Sequence, residues 1–498
     1  MQRLARPSGF AAHAAALTAA LLVALAGLGA GAARAQEKAT PLSKIERLNR
    51  APVNKEILRV QLPRPTVAKL PNGLTVILIE DHKLPTVAFT MWITPGQLGD
   101  PDEIPGLASF TADMLRQGTE RRTSAQLAAE VDSLGATLNA NSAFGASYTT
   151  VTASGLVGDT ERVLDLMNDI VLHPAFAADE LAQYKRREGA ALEQRLSNPG
   201  FLAQQAMRRV LYGEPPLSLS SPTKESIEKV TADDLKQFHD RYYRPGNTLL
   251  GVIGDFKTDD MRALITKQFA AWSGNAGSPL AQPKPAAPQP AKITLVDRPG
   301  SVQTYILAAD RAIPRTDPDY YALEVMNQIL GGGPQSRLFL DLREEHSYTY
   351  GAYSRFTSEI YPGDWAANAA VRTPVTDGSM ERFLFEFKRI GDEPVPASEL
   401  DDARHAIVAG FALSLERPAE LLNNALQVQH FGLPADYWDK YPDRISAVTA
   451  AQVQAAAKKY VDTAHLQWVC VGDRQQIQAA LAKYGPVTVV SPEGKPEN

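Results

Sequence analysis

One pattern occurs twice in this sequence without a gap: VTADDLKQFHDRYYRPGNTLLGVIGD from Val230 to Asp255, and VTAAQVQAAAKKYVDTAHLQWVCVGD from Val448 to Asp473. Each copy opens Val-Thr-Ala, carries a tyrosine at the same offset (Tyr242, Tyr460), and closes on an apolar run ending in Gly-Asp. An ungapped match of this length indicates an internal duplication, so the chain is expected to build one supersecondary plan twice. Thr231 and Thr449 are predicted N-caps of the helix in each copy. Between the copies lies SGNAGSPLAQPKPAAPQPA, from Ser273 to Ala291. Proline fixes φ and removes a backbone donor, so this stretch reads as a semi-rigid linker at 273–291. It separates predicted domains at 50–272 and 292–490, each of ordinary domain size.

Within the first half, VAKLPNGLTVIL places Asn72-Gly73 between alternating segments, a hairpin signal. TVAFTMWI (Thr86 to Ile93) and SYTTVTAS read as strands, whereas SAQLAAEVDSLGATL carries Leu127, Val131 and Leu134 at helical spacing. Strands, helices and strands again predict an α+β fold: two homologous halves, each a largely antiparallel sheet covered by helices.

With 44% hydrophobic and 21% charged residues the chain has the balance of a soluble globular protein. The first 35 residues carry Arg3, Arg6 and Arg34 and no acid, then an Ala/Leu-rich run from Ala14 to Ala30, then Ala33-Arg34-Ala35. This is the form of a signal peptide at 1–35 cleaved after Ala35, with export to the periplasm as the expected outcome. Its removal takes the formal net charge from -5 to about -8. A mildly acidic surface of that kind does not recruit nucleic acid or an anionic membrane. The single cysteine, Cys470, excludes an internal disulfide and a lipid at the cleavage point. No second long apolar segment follows, so stable membrane insertion after signal removal is not expected.

The segment GLASFTADMLRQGT, Gly106 to Thr119, resembles the inverted zinc motif of the pitrilysin/insulinase-type metallopeptidases, G-L-A-H-x-x-E-H-M-L-x-x-G-T. In that family two histidines at i and i+4 share a zinc ion, and the glutamate between them deprotonates the metal-bound water. Gly106, Leu107, Ala108, Met114, Leu115, Gly118 and Thr119 keep the frame. Ser109 and Asp113 stand at the histidine positions and Ala112 at the general-base position, so the motif is degenerate and no metal is expected on this chain. The family's third ligand, a glutamate, falls near Glu193 or Gln194 in ALEQRLSNP. The histidines, His13, His82, His173, His239, His346, His405, His430 and His465, include no pair at ligand spacing, so a substitute set would have to come from distant segments.

LGGGPQSRLFLDLREEHSYTYGAYS, Leu330 to Ser354, resembles the segment that the family's C-terminal halves use opposite the zinc. Arg343 and Tyr350 keep its Arg-to-Tyr spacing, and Gly331, Gly332, Gly333 and Ser336 supply the Gly-rich lead-in. The resemblance implies that Arg343 and Tyr350 steady a substrate carbonyl, with Gly331–Gly333 and Ser336 as a turn that lets a peptide backbone approach closely. A helix is expected to end near His346, with Arg343 in its last turn and Tyr350 on the strand that leaves it. No Gly-Lys-Ser/Thr follows the glycines, which excludes a phosphate-binding loop.

Taken together the resemblance implies a non-catalytic subunit of a heteromeric periplasmic zinc peptidase. Its expected partners are a homologous subunit with an intact zinc motif, which carries the zinc, and peptide substrates. The alternative is a peptidase-fold scaffold or peptide-binding protein without chemistry.

Overall fold

The computed structural model describes residues 62–275, 277 and 289–497. The signal sequence read at 1–35 and most of the segment 273–291 lie outside the described residues.

In the first half, Gly73 adopts φ 96°, the left-handed conformation an Asn-Gly turn requires. It joins β1 (Thr66–Lys69) to β2 (Thr75–Glu80) with Lys69 opposite Thr75. β3 (Thr86–Ile93), β4 (Thr137–Asn141), β5 (Thr149–Leu156) and β6 (Thr248–Gly254) complete a sheet of order β1-β2-β6-β3-β5-β4. In the second half β7 (Lys292–Asp297), β8 (Gln303–Arg311), β9 (Thr349–Phe356), β10 (Asp364–Arg372), β11 (Gln467–Gly472) and β12 (Val487–Val490) form a sheet of order β12-β7-β11-β8-β10-β9.

Five strands match in order, β2-β6-β3-β5-β4 with β7-β11-β8-β10-β9; the outer strands differ, since β1 pairs antiparallel with β2 and β12 parallel with β7. β6 and β11, the apolar ends of the duplicated segment, occupy the same place: each runs parallel to one neighbour (β2, β7) and antiparallel to the other (β3, β8). β4 and β9 are the corresponding edge strands. The fold is α+β, largely antiparallel and built twice.

Seven helices position the sites. They are α1 (Leu107–Met114), α2 (Ala178–Leu196), α3 (Pro199–Tyr212), α4 (Ala232–Tyr242), α5 (Tyr320–Gly331), α6 (Pro418–His430) and α7 (Ala450–Tyr460). Thr231 and Thr449 cap α4 and α7 through capping boxes: Asp234 and Gln452 each accept the threonine N–H at 2.8 Å.

The halves are clasped by exchanged helices. α3, from the first half, lays Leu202, Ala203, Met207 and Leu211 on the second sheet against Val296, Leu307, Val469 and Val471. α6, from the second half, lays Leu422, Ala425 and Leu426 on the first sheet against Ile77, Ile79, Trp92 and Ile253. Gly251 in β6 admits this helix, since a Cβ there would stand 2.7 Å from Leu422 Cδ1. A polar joint accompanies the exchange: Ser147 Oγ donates to Glu359 Oε2 at 2.7 Å and lies 2.8 Å from His430 Nε2. Burial pushes His430 down to about 4, so the ring is neutral at neutral pH.

A degenerate metal helix and an outward-turned tyrosine

Helix α1 starts at Gly106, held at φ 95°. A buried carboxylate receives its free amides: Gly106 N–H donates to Asp100 Oδ2 and Ala108 N–H to Asp100 Oδ1, both at 2.7 Å. Burial pushes the Asp100 carboxyl up to about 7, with the two amides pulling the other way. An unfolded aspartate titrates near 3.9. The native chain therefore keeps a proton that the unfolded chain has lost, and the contribution of Asp100 to stability falls as pH rises from about 4 to about 7. Asp100→Asn is expected to flatten the stability profile across that window. Urea midpoints of both proteins at its two ends check this, and an unchanged slope would contradict it.

Along α1, Ser109 is half-buried, Ala112 is buried with no donor atom, and Asp113 is half-buried. Asp113 Oδ2 accepts the Tyr184 hydroxyl at 2.7 Å. Burial raises the Asp113 pKa; the Tyr184 bond lowers it, nearby Glu188 raises it, and Arg195 lowers it. Glu188 is in turn bound by Arg195 Nη2 at 2.5 Å. Tyr184, Glu188 and Arg195 recur on one face of α2 and fill the space beside Asp113. Tyr184 and Glu188, with Asp113, Arg187 and Ala191, border a cleft of about 290 Å³. Glu193 and Gln194, the residues read as the third-ligand position, are exposed on another face; Glu188 is the α2 carboxylate turned toward α1.

Zinc does not fit this set. Ala112 brings nothing, Ser109 a neutral hydroxyl, and Asp113 an oxygen already bonded to Tyr184. The Arg195 guanidinium, paired with Glu188, adds a positive charge beside these positions. Among the described residues a different trio, Asp341, Glu345 and His346, brings three donor atoms together. Arg382 engages both Asp341 oxygens and His346 Nδ1 lies 3.0 Å from Asp341 Oδ1, so two of the three donors are already engaged.

In the second half, α5 runs through Gly331, one residue into the triple glycine. A Cβ on Gly331 would stand 2.2 Å from the Ser354 backbone nitrogen in β9. The close approach read for these glycines is made here by the chain's own strand β9. At Gly333 a Cβ would meet nothing nearer than Gln328 Nε2 at 4.0 Å. Ser336 is buried, its hydroxyl donating back to the Gly333 carbonyl at 2.6 Å, so it holds the turn. Gly331→Ala is accordingly expected to cost about 1–3 kcal/mol by forcing β9 away. Gly333→Ala is expected to change stability by less than about 0.5 kcal/mol. Paired denaturation curves check this, and equal effects would contradict it.

The helix after Ser336 widens into a π-turn over Leu340–Glu345 that carries Arg343. One-turn π segments of this kind re-aim the residues they contain. The Arg343 guanidinium lies 4.8 Å from the Phe339 ring centroid and 3.5 Å from Glu344, with its side chain 45% exposed. Ser347 then takes φ 55° and its N–H bonds the Arg343 carbonyl at 3.0 Å, turning the chain into β9.

On β9 the register against β10 slips: Ala352 faces Ala369, but Thr349 faces Val371. Tyr350 and Gly351 thus oppose Ala370 alone, a β-bulge. The Thr349 hydroxyl pins it, donating to the Ala370 carbonyl at 2.7 Å and accepting from Gly351 N–H at 3.2 Å. Ala352 and Ser354 point inward, so strict alternation would bury Tyr350 as well. The bulge reverses that, and Tyr350 stands 90% exposed.

Arg343 and Tyr350 therefore lie on the two elements expected of them. The residues that sequence reasoning missed are Tyr184, Glu188 and Arg195, whose signal was helical spacing, and Thr349 and Gly351, whose signal was a Thr-x-Gly beside an aromatic.

Two family profiles match this chain: Insulinase (Peptidase family M16) over residues 75–215 and Peptidase M16 inactive domain over residues 229–407. An uncharacterized zinc protease of Mycobacterium leprae is 26% identical over 357 residues, covering 70% of this chain and 78% of that protein. A probable mitochondrial-processing peptidase subunit beta of Arabidopsis thaliana is 22% identical over 428 residues, covering 83% and 80%. A crystal structure titled as a peptidase M16 inactive domain from Pseudomonas fluorescens is similar with TM-score 0.77 and 29% identity, covering 82% of this chain and 98% of that one. With one M16 profile on each half and the same order of five strands in both sheets, the chain belongs to the insulinase-type M16 peptidase family, with a first half whose metal positions no longer hold a metal-binding set.

Proposed function

We propose that this chain is the non-catalytic subunit of a heteromeric periplasmic zinc peptidase. A homologous subunit with an intact zinc motif supplies the metal, the attacking water and the general base. This chain supplies Arg343, Tyr350 and part of the surface that holds the peptide.

One contrast carries the reading. The metal positions are dismantled and refilled by the Asp113–Tyr184 and Glu188–Arg195 pairs, whereas Tyr350 is turned outward by a bulge that costs ladder bonds. A fold kept merely as scaffold has no use for a 90% exposed tyrosine aimed by a dedicated irregularity. A guanidinium and a phenol can both donate to the carbonyl oxygen of a peptide as it becomes negative. The edge strands β4 and β9 leave backbone groups free for a peptide to add as a further strand, a mode that reads backbone rather than sequence.

The Arabidopsis relative is named as a subunit, in keeping with a paired assembly. The signal sequence at 1–35 supports export. No helix among the described residues is long and apolar enough to cross a membrane.

The test is cleavage of a mixed peptide pool by the purified mature chain, by a zinc-motif homologue from the same genome, and by the two mixed. The expected result is silence from each alone and cleavage by the mixture. A stable complex that stays silent would overturn the proposal in favour of a scaffold.

A further inference from the structure

Away from Arg343 and Tyr350, the second half contains a cleft of about 630 Å³. It lies between the N-terminal end of α5, the chain from Gly432 to Tyr437, and the face of α7 that carries Gln452, Ala455 and Lys459. That volume is within the range of small-molecule sites.

Arg315 lines the cleft and is only 5% exposed. Its guanidinium is stacked among aromatic rings, 3.9 Å from the Tyr320 centroid, 5.2 Å from Tyr437 and 5.3 Å from Trp438. Those contacts cover its faces, and Nη1 is buried without a hydrogen-bond partner. An unbonded charged donor out of water is costly and signals a missing acceptor.

The acids nearby do not fill that role. Asp319 Oδ2 is held by Lys459 and by the Tyr460 hydroxyl, both at 2.7 Å, and Asp317 Oδ1 accepts the Asp319 N–H at 2.8 Å. Glu324 interacts with Arg315 only through its field, and burial raises the Glu324 pKa against that pull. Arg444, at the rim, donates to the Tyr321 hydroxyl at 3.2 Å. Asp319 does not cap α5 with its side chain, so the first turn of α5, where Tyr321 and Ala322 line the cleft, presents its amides and the positive end of the helix.

We infer that this cleft binds a small organic carboxylate, with its head between the Arg315 guanidinium and the first turn of α5 and its apolar body along Tyr437, Leu433 and Pro434. A planar guanidinium whose faces are stacked offers its edge as a fork, which matches a carboxylate. The apolar walls favour a ligand with a single charge over a phosphate. The carboxylate can belong to the C-terminus of a short peptide or to a free organic acid. The inference does not depend on the peptidase reading.

Calorimetric titration of the mature chain tests it. The probes are acetyl-Ala-Phe as the peptide acid, 3-phenylpropionate as the free acid, the amide of each, and inorganic phosphate. At least one acid is expected to bind about tenfold or more tighter than its amide, and whichever acid binds tighter identifies the source. Arg315→Lys keeps the charge but loses the fork, and is expected to weaken acid binding about tenfold. Ala455→Phe, on the exposed face of α7, is expected to block the cleft and abolish binding while thermal unfolding stays unchanged. Equal binding of acids and amides, no acid binding at all, tighter binding of phosphate, or undiminished affinity in Ala455→Phe would each overturn the inference.

Discussion

Replacing Arg343 by alanine in the proposed two-subunit peptidase is expected to lower the cleavage rate by about 10²–10³-fold, the loss for one donor to a developing oxyanion. The loss falls on kcat more than on KM, because the donor acts most strongly once the carbonyl oxygen has become negative. Folding is unaffected within about 0.5 kcal/mol. Arg343 makes one long contact to Glu344 and one to the Phe339 ring, and its side chain is 45% exposed, so little packing is lost. Tyr350→Phe behaves in the same direction, since it removes the hydroxyl and keeps the ring. Loosening the bulge by Thr349→Val is expected to lower the rate as well, because its hydroxyl fixes where Tyr350 points. Full rate in Arg343→Ala would remove this chain from the chemistry.

Leu426→Ala destabilises the protein by about 2–5 kcal/mol, the range for a large-to-small change at a closed apolar site. Leu426 is 0% exposed and comes from the second half, yet its neighbours Ile77, Ile79, Trp92 and Ile253 belong to the first sheet. Its loss therefore weakens the clasp between halves as well as local packing. Leu413→Ala serves as the control: that leucine is 67% exposed, and its truncation is expected to cost less than about 0.5 kcal/mol. Urea midpoints separate the two. Equal midpoints would mean that α6 does not clasp the halves.

Much of the fold was legible because it is local. The strand Thr86–Ile93 is the segment its apolar pattern marks, Asn72-Gly73 makes the hairpin, and the duplicated Val-Thr-Ala carries the same capping box twice. The helix exchange was not legible. The apolar faces of α3 and α6 show that each helix is buried, but nothing in a helical periodicity says that the covering sheet belongs to the other half.

The site shows the same division. Motif spacing placed Ser109, Ala112 and Asp113 on one helix and Arg343 and Tyr350 on consecutive elements. It did not single out Glu188, the α2 carboxylate that faces α1, while Glu193 is exposed. It also gave no hint of the π-turn and bulge that aim Arg343 and Tyr350, because alternation along β9 would have buried Tyr350. Irregular backbone depends on which strand is paired with which, and a linear pattern does not hold that information.

In the proposed assembly this chain carries no metal and completes a site whose zinc belongs to another subunit. Zinc content of the isolated mature chain after dialysis against excess zinc, measured alongside its peptidase activity, tests it most directly. The isolated chain is expected to hold no stoichiometric zinc and to cleave nothing, with both appearing once the zinc-motif subunit is added. Stoichiometric zinc and zinc-dependent cleavage by the isolated chain would contradict it, because Ser109, Ala112 and Asp113 would then belong to a working metal centre.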